Sequence, residues 1–470
     1  MTTLSPRFDS RQRLVLFVLL GAGFMLAVDF SILNVALPEA GAGVGLGLTG
    51  LPWIISAYAL PAAGFALVFG RLADLFGRRR LFVSGLVLLI GASMLGGLAS
   101  NPAMLLTART LQGLATAMTI PAALSLLTTT FAEGRVRDRV LGLNGAMLSG
   151  GFTVGALVGG TLVSLMSWRA AFFINVPVAA FILLATPFVI AESRLPRRVK
   201  LDLPGAVTVT GGLLAVIYAV IEKSAPAAVV GVLLLVAFWM IELRSPAPLA
   251  SVRILKRPTV KWGNYAGFVI FTMEPAMIFL ITLYLQKVLG FSPLVTGLVF
   301  GVPGLASVAA GVIAGRFIGR FGSRRVLVAG LTVQGLMTLP LVFLGADRSA
   351  LVILVPALFI GFFGHVTAIV AYTVTATSGL PDQEQGLATG LTSMTQQVAL
   401  TVGVPFLGAI AATRSVELTG IHLALGVNVT VTLVSVVFIW YGLRPRRRRS
   451  PADTASSAHP EREAVPASRP

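Results

Sequence analysis

Cysteine is absent from this 470-residue chain, and histidine occurs only three times, at the widely separated His365, His422 and His459. Those absences exclude a disulfide framework and a Cys/His metal centre. Charge is scarce as well. Asp, Glu, Lys and Arg supply 11% of the residues, against about 25% in an ordinary soluble domain, too little to cover a water-facing surface. The chain also lacks G-x-S-x-G, H-E-x-x-H and the phosphate-cradling G-x-x-x-x-G-K-S/T. It carries no signature of a serine hydrolase, a zinc peptidase or a nucleotide-driven pump, so an enzyme is not expected, nor is a bound cofactor.

What is present is apolar sequence. Runs bounded by charged or Gly/Pro-rich breaks fall at 14–37, 51–69, 81–99, 103–127, 140–166, 171–190, 205–222, 227–243, 261–283, 293–315, 326–345, 350–378, 387–412 and 421–443. A membrane-crossing helix takes about 20 apolar residues, so the pattern predicts about fourteen of them in an all-α polytopic membrane protein. The first run follows Arg7, Arg11 and Arg13 but is longer than a signal-peptide core, and reads as an uncleaved first helix.

The formal charge of +18 does not point to nucleic acid, because the basic residues sit in short clusters between the runs. With the N-terminus placed in the cytoplasm, about 30 of the Lys and Arg fall inside. Arg169, Lys223, Lys287, Arg348 and Arg414 fall outside, and Arg109 lies within a helix. The expectation is therefore a multi-pass protein of the cytoplasmic membrane with both termini inside.

An internal repeat divides the chain. GRLADLFGRRR at 70–80 is echoed by GRFIGRFGSRR at 315–325, with Gly319 where Asp74 stands in the first copy. Both copies join the second and third helices of a six-helix half if the seventh and eighth runs are an insertion. The expected organisation is an N-terminal segment 1–13, a six-helix bundle 14–190, a linker with two further helices 191–260, a second six-helix bundle 261–443, and a basic, Pro/Ala/Ser-rich tail 444–470 that does not fold.

The first copy of the repeat resembles the major facilitator signature G-x-L-A-D-x-x-G-R-R/K, carried by Gly70, Asp74, Gly77, Arg78 and Arg79. LLTARTLQGLATAM at 105–118 is similar to the fourth-helix R-x-x-Q-G pattern, through Arg109, Gln112 and Gly113. GFTVGALVGGTL at 151–162 resembles the antiporter pattern G-x-x-x-G-P-x-x-G-G through Gly151, Gly155, Gly159 and Gly160, with Ala156 in place of proline. Small residues at that spacing also serve plain helix packing, and both readings stand. AVDFSILNVALP at 27–38 and SWRAAFFINVPV at 167–178 complete the likeness to the fourteen-helix drug:proton antiporters.

That resemblance implies the major facilitator fold, a cytoplasmic gate at Asp74 and its arginines, and export of small amphipathic compounds, driven by the proton gradient, by a protein working as a monomer. A proton symporter or metabolite facilitator of the same fold is the alternative, since the same acids would serve it.

Three strongly ionisable residues lie deep in the runs: Asp29, Arg109 and Glu274. Counted at 1.5 Å per residue, they sit roughly 9–14 Å below the outer helix ends, where one cavity between the halves could hold them all. Charge at such depth requires a partner or a wet cavity. Asp29 and Glu274 are therefore the expected proton-coupling sites, with Arg109 tuning Asp29. Pro275, beside Glu274, bends its helix by removing a backbone donor. Met25, Phe30, Tyr265, Met273, Met277, Phe362 and Phe363 are candidates for an apolar pocket, with Asn34, Gln334, His365 and Gln396 as polar points. His365, a lone intramembrane histidine, stays outside the primary site.

Overall fold

The computed structural model describes residues 9–47, 50–131, 135–192, 202–245, 252–378, 380 and 382–444. The basic tail after Arg444 and the linker stretches 193–201 and 246–251 lie outside them. Among the described residues the secondary structure is helical throughout: α1 (Ser10–Val44), α2 (Leu51–Phe76), α3 (Arg78–Gly97), α4 (Pro102–Thr130), α5 (Arg135–Leu165), α6 (Ala170–Phe173), α7 (Asn175–Val189), α8 (Leu203–Glu222), α9 (Ala225–Arg244), α10 (Pro258–Leu283), α11 (Pro293–Phe321), α12 (Ser323–Thr338), α13 (Leu351–Thr377), α14 (Asp382–Ala411) and α15 (Glu417–Gly442). Each apolar run is thus helical, the sixth being cut in two at Ile174. Ten helical segments among the described residues are long and apolar enough to cross a membrane. Further apolar stretches of crossing character but shorter span lie in α2, α5, α8 and α14. The chain is a multi-pass membrane protein.

The helix starts follow from their first residues. Asp9 accepts from the Gln12 amide while the Gln12 side chain accepts from the Asp9 amide, closing a capping box on α1. Asn101 caps α4 and Ser292 caps α11 through a single bond each, accepting from the Met104 and Val295 amides, and each has proline in the first turn, where the missing amide hydrogen is harmless. Reversals are then enforced by glycine. Gly77 at φ +112° and Gly322 at φ +82° turn the chain between α2 and α3 and between α11 and α12, the two copies of the repeat.

The repeat also reappears as packing. Arg79 Nη1 donates to the carbonyl of Ile190, just past the end of α7. Its counterpart Arg324 donates through Nη2 to the carbonyl of Trp440, near the end of α15, and lies 4.2 Å over that indole ring. Each repeat arginine therefore ties the start of the third helix of its half to the end of the sixth, and the two ties correspond.

Let the near end of the bundle be the one where α1 begins. There the apolar core is split. One cluster joins the near halves of α1, α3 and α4 with Ala73, Val140 and α7, and a separate one joins α10, α12, α13, Ala399 and α15. At the far end a single cluster runs through α1, α2, α5, α10, α11, α13, α14 and α15. Direct bonds stitch it: Gln286 Nε2 donates to the Val35 carbonyl at 2.9 Å, and the Leu294 amide donates to Ser164 Oγ at 2.9 Å. Helices α5 and α11 meet through glycine, a Cβ on Gly160 falling 2.5 Å from the Pro293 carbonyl and one on Gly297 falling 2.6 Å from that of Ala156. The molecule is shut at the far end and divided at the near end.

Helices α8 and α9 form an antiparallel hairpin beside this body, and α8 packs on both α2 and α14. Thr210 Oγ1 donates to the Gly64 carbonyl, and Tyr218 and Glu222 meet Trp53. A small cluster of Leu60, Val209, Leu213, Val260 and Leu391 joins α8 to α2 and α14 and takes in the start of α10.

The far-end seam gives a direct test, because a chain without cysteine can form only the disulfide introduced into it. Ser164→Cys combined with Leu294→Cys should cross-link on oxidation in membranes, with loss of transport that a reductant restores. Full turnover by the cross-linked protein would show that this seam never opens.

Candidate functional site

Arg109, in the middle of α4, is 1% exposed and is the largest fully buried side chain among the described residues. Its Nε donates to the Ile54 carbonyl of α2 at 3.1 Å, and its Nη1 donates to Gln112 Oε1 at 2.6 Å and to Asp29 Oδ2 at 3.5 Å. The guanidinium carbon stands 4.3 Å over the Tyr58 ring. Asp29 accepts two further bonds on Oδ1, from Gln112 Nε2 at 3.2 Å and from Asn175 Nδ2. Gln112 Nε2 also donates to Ser93 Oγ at 3.0 Å. Charges from α1 and α4 are thus satisfied by donors and acceptors from α2, α3, α4 and α7, the condition a buried ion pair needs in order to survive desolvation.

Three side chains of this network, Asn175, Ser93 and Tyr58, are given no role in the sequence analysis. Asn175 belonged to a motif quoted there, and the break at Ile174 places it at the start of α7, where its amide meets Asp29. Nothing in the sequence marks Tyr58, an aromatic residue in an apolar run.

The pair does not face the central space. A cavity of about 560 Å³ lies between the two near-end clusters, reaching Leu19, Ala66 and Leu124. Phe30, Tyr58 and Thr116 line it, and Asp29 and Arg109 lie behind them; the Tyr58 hydroxyl is 2.8 Å from Thr116 Oγ1. Glu274 does line the cavity, next to Pro275. The expectation of one cavity containing all three ionisable residues is therefore corrected: bulky aromatic side chains seal the α1–α4 pair, while Glu274 opens into the space. Of the proposed pocket residues, Phe30, Asn34, Phe362, His365 and Gln396 line the cavity. Met25 and Met273 are packed in apolar clusters, and Tyr265 turns to Ser435 Oγ at 2.9 Å.

The antiporter-like glycines have definite neighbours. A Cβ on Gly151 would lie 2.7 Å from the Phe24 carbonyl, one on Gly155 2.7 Å from that of Val28, and one on Gly159 3.0 Å from Ile32 Cα, so this row seats α5 on α1. Gly160 faces α11 instead. On α4, Gly113 presses on the Tyr58 carbonyl of α2, where a Cβ would come within 2.0 Å.

At the near-end gate motif the side chain of Asp74 lies outside the described residues. Gly70 sits where a Cβ would touch Pro121 of α4 at 3.7 Å. Gly77 leaves room for Glu192, whose carboxylate accepts from the Arg79 amide at 3.1 Å and the Arg80 amide at 3.2 Å. It thereby caps the positive end of α3 and stands 3.8 Å from Arg80 Nε. Arg78 is buried.

Residues 19–404 match the family model described as Major Facilitator Superfamily. The chain is 33% identical to a puromycin resistance protein of Streptomyces alboniger, over 97% of this chain and 96% of the relative. It is 34% identical to a cephamycin export protein of Amycolatopsis lactamdurans, over 82% of each, and 32% identical to a probable actinorhodin transporter of Streptomyces coelicolor, over 87% of this chain and 74% of that one. Among solved structures, a POT family transporter in complex with a thioalcohol-conjugated peptide superposes with TM-score 0.70 at 14% identity, covering 91% of this chain and 96% of that one; that likeness concerns the fold.

Two outcomes follow for stability in detergent. Asp29→Ala leaves Arg109 buried without its counter-charge and should cost about 3–5 kcal/mol, whereas Asp29→Leu with Arg109→Met should recover most of it; equal stability of the single mutant and wild type would mean the pair is not held as described. Glu192→Ala removes the α3 cap and should cost about 1 kcal/mol, read as a lowered melting temperature.

Proposed function

This chain belongs to the Major Facilitator Superfamily, and on that premise we propose that it exports small amphipathic compounds across the cytoplasmic membrane in exchange for protons, by alternating access. The observation that carries the reading is the cavity: about 560 Å³, within the range for drug-sized ligands, with largely apolar and aromatic walls and one carboxylate, Glu274, opening into it. The names of the antibiotic-resistance and export relatives agree with such cargo.

Asp29 supplies the second acid. Protonation at its carboxylate removes the charge that Arg109 faces and the acceptor strength on which Gln112 and Asn175 depend, so a proton arriving there loosens α1 from α4 and α7. Because α1 also carries the Val35 carbonyl of the far-end seam and the α5 glycine contacts, loosening reaches the surfaces that must part for the cavity to change face. With the Lys- and Arg-rich loops at the near end placed in the cytoplasm, the cavity faces inward here. Glu192, Gly77 and the Arg78–Arg80 cluster then form a cytoplasmic hinge, with Asp74 as its gating acid.

The test is substrate movement in everted vesicles or proteoliposomes with an imposed proton gradient, using a fluorescent lipophilic cation and puromycin as cargo. Wild type should concentrate cargo against its gradient, and a protonophore, Asp29→Asn or Glu274→Gln should each lower uphill transport at least tenfold. Undiminished pumping by both mutants would remove the assigned coupling acids, and cargo movement in the same direction as the protons would make the protein a symporter.

A further inference from the structure

A second polar cluster lies in the other half of the molecule, with a construction unlike that around Asp29. Glu274 of α10 has His365 of α13 beside it, Oε2 to Nε2 at 3.7 Å. The other ring nitrogen, Nδ1, lies 3.4 Å from Oε1 of Gln334 on α12. All three are buried, and all three line a side cavity of about 10 Å³, walled otherwise by residues such as Met277, Thr338 and Phe362. That is roughly the room one water molecule needs. Glu274 and His365 also line the main cavity, so the pair bridges the two spaces.

The surroundings restrict what this carboxylate can do. Of the titratable residues that line the main cavity, Glu274 and His365 stand together and Tyr58 of α2 is engaged with Thr116; among the described residues no lysine or arginine lines it. From the elements packed on α10, α13 also presents Tyr372, whose hydroxyl donates to the Thr392 carbonyl, and α15 presents Asn428, which donates to the Met273 carbonyl. Asp29 on α1 is turned into its own network. Glu274 therefore has a titratable neighbour where Asp29 has a permanent cation.

The geometry points to Glu274, His365 and Gln334 as one proton-binding unit, in which His365 shares and relays the proton that moves between the main cavity and the Glu274 carboxyl. Gln334 Oε1 is an acceptor and selects the ring form with hydrogen on Nδ1, which leaves the Nε2 lone pair turned to Glu274. A proton on the Glu274 carboxyl can pass to Nε2, directly or through one water in the side cavity. The O–H bond breaks as the N–H bond forms, and carboxylic acid with neutral imidazole becomes carboxylate with imidazolium. The singly protonated unit is neutral in either form, so it can be buried while the cavity changes face. Full deprotonation leaves a single negative charge on the cavity wall, which suits cargo bearing an amine or another cation. This rests on the reading of Glu274 as a coupling site, and adds His365 as the group that exchanges its proton.

Infrared difference titration of the purified, reconstituted full chain tests it without transport. The carbonyl-stretch band that disappears in Glu274→Gln belongs to the protonated Glu274 carboxyl. In wild type that band should titrate in two coupled steps. In His365→Gln, which keeps a polar side chain in place of the ring, it should titrate in one step whose midpoint differs by about one pH unit, a tenfold change in proton affinity. Gln334→Leu, which leaves the ring present but unfixed, should move the midpoint while keeping two steps. A Glu274 band with the same single-step titration in wild type, His365→Gln and Gln334→Leu would overturn the proposal. The outcome is separable from the function proposed above: loss of proton-driven transport in wild-type vesicles would sink that reading whatever the infrared bands did.

Discussion

The charge of Arg109, held deep in α4, is the constraint around which the first half of the molecule is arranged. An arginine in hydrocarbon costs several kcal/mol unless its donors are answered, and here the answers come from three helices: Asp29 of α1, the Ile54 carbonyl and Tyr58 ring of α2, and Gln112 of α4 itself. The donors that complete Asp29 bring in α7 through Asn175, and Gln112 brings in α3 through Ser93. Five helices are therefore registered on one pair of charges. A change in the charge state of one atom group is felt by all of them.

Glycine sets the complementary constraint. Where Arg109 gathers helices by charge, Gly151, Gly155 and Gly159 seat α5 on α1 by bare backbone contact, and Gly160 with Gly297 brings α5 against α11 across the molecule. The same helix is thus fastened along one face within its half and along another to the opposite half. The glycine contacts themselves carry no hydrogen bonds and little side-chain entropy, so parting the α5–α11 seam breaks few bonds, that of the Leu294 amide to Ser164 Oγ among them.

Much of this was legible in the sequence because membrane physics constrains it so tightly. The apolar runs had to be helices, since a helix satisfies its own backbone in hydrocarbon, and the runs at 103–127 and 293–315 became α4 and α11. Asp29, Arg109 and Glu274 stood out for the same reason, as charges where charge is expensive. What could not be read was direction. Whether a residue on a helix faces the cavity or lies behind an aromatic screen depends on rotation and packing, so the separation of the Asp29 pair from Glu274 appeared only in three dimensions. Glu192 and Asn175 were likewise hidden, because their partners stand more than a hundred residues away in the chain.

The hairpin of α8 and α9 makes the two long seams of the transporter unequal. On one side, α8 lies against both α2 and α14 and forms a third wall over the line where the halves meet. On the other, α5 and α11 meet each other directly, and below their glycine contact Asn144, Leu148, Gly304 and Ser307 border the cavity. The two flanks are therefore unlike, the hairpin standing over the α2–α14 line and not over the α5–α11 line. A movement that separates α5 from α11 therefore parts two helices only, whereas one that separates α2 from α14 must also carry or shed α8.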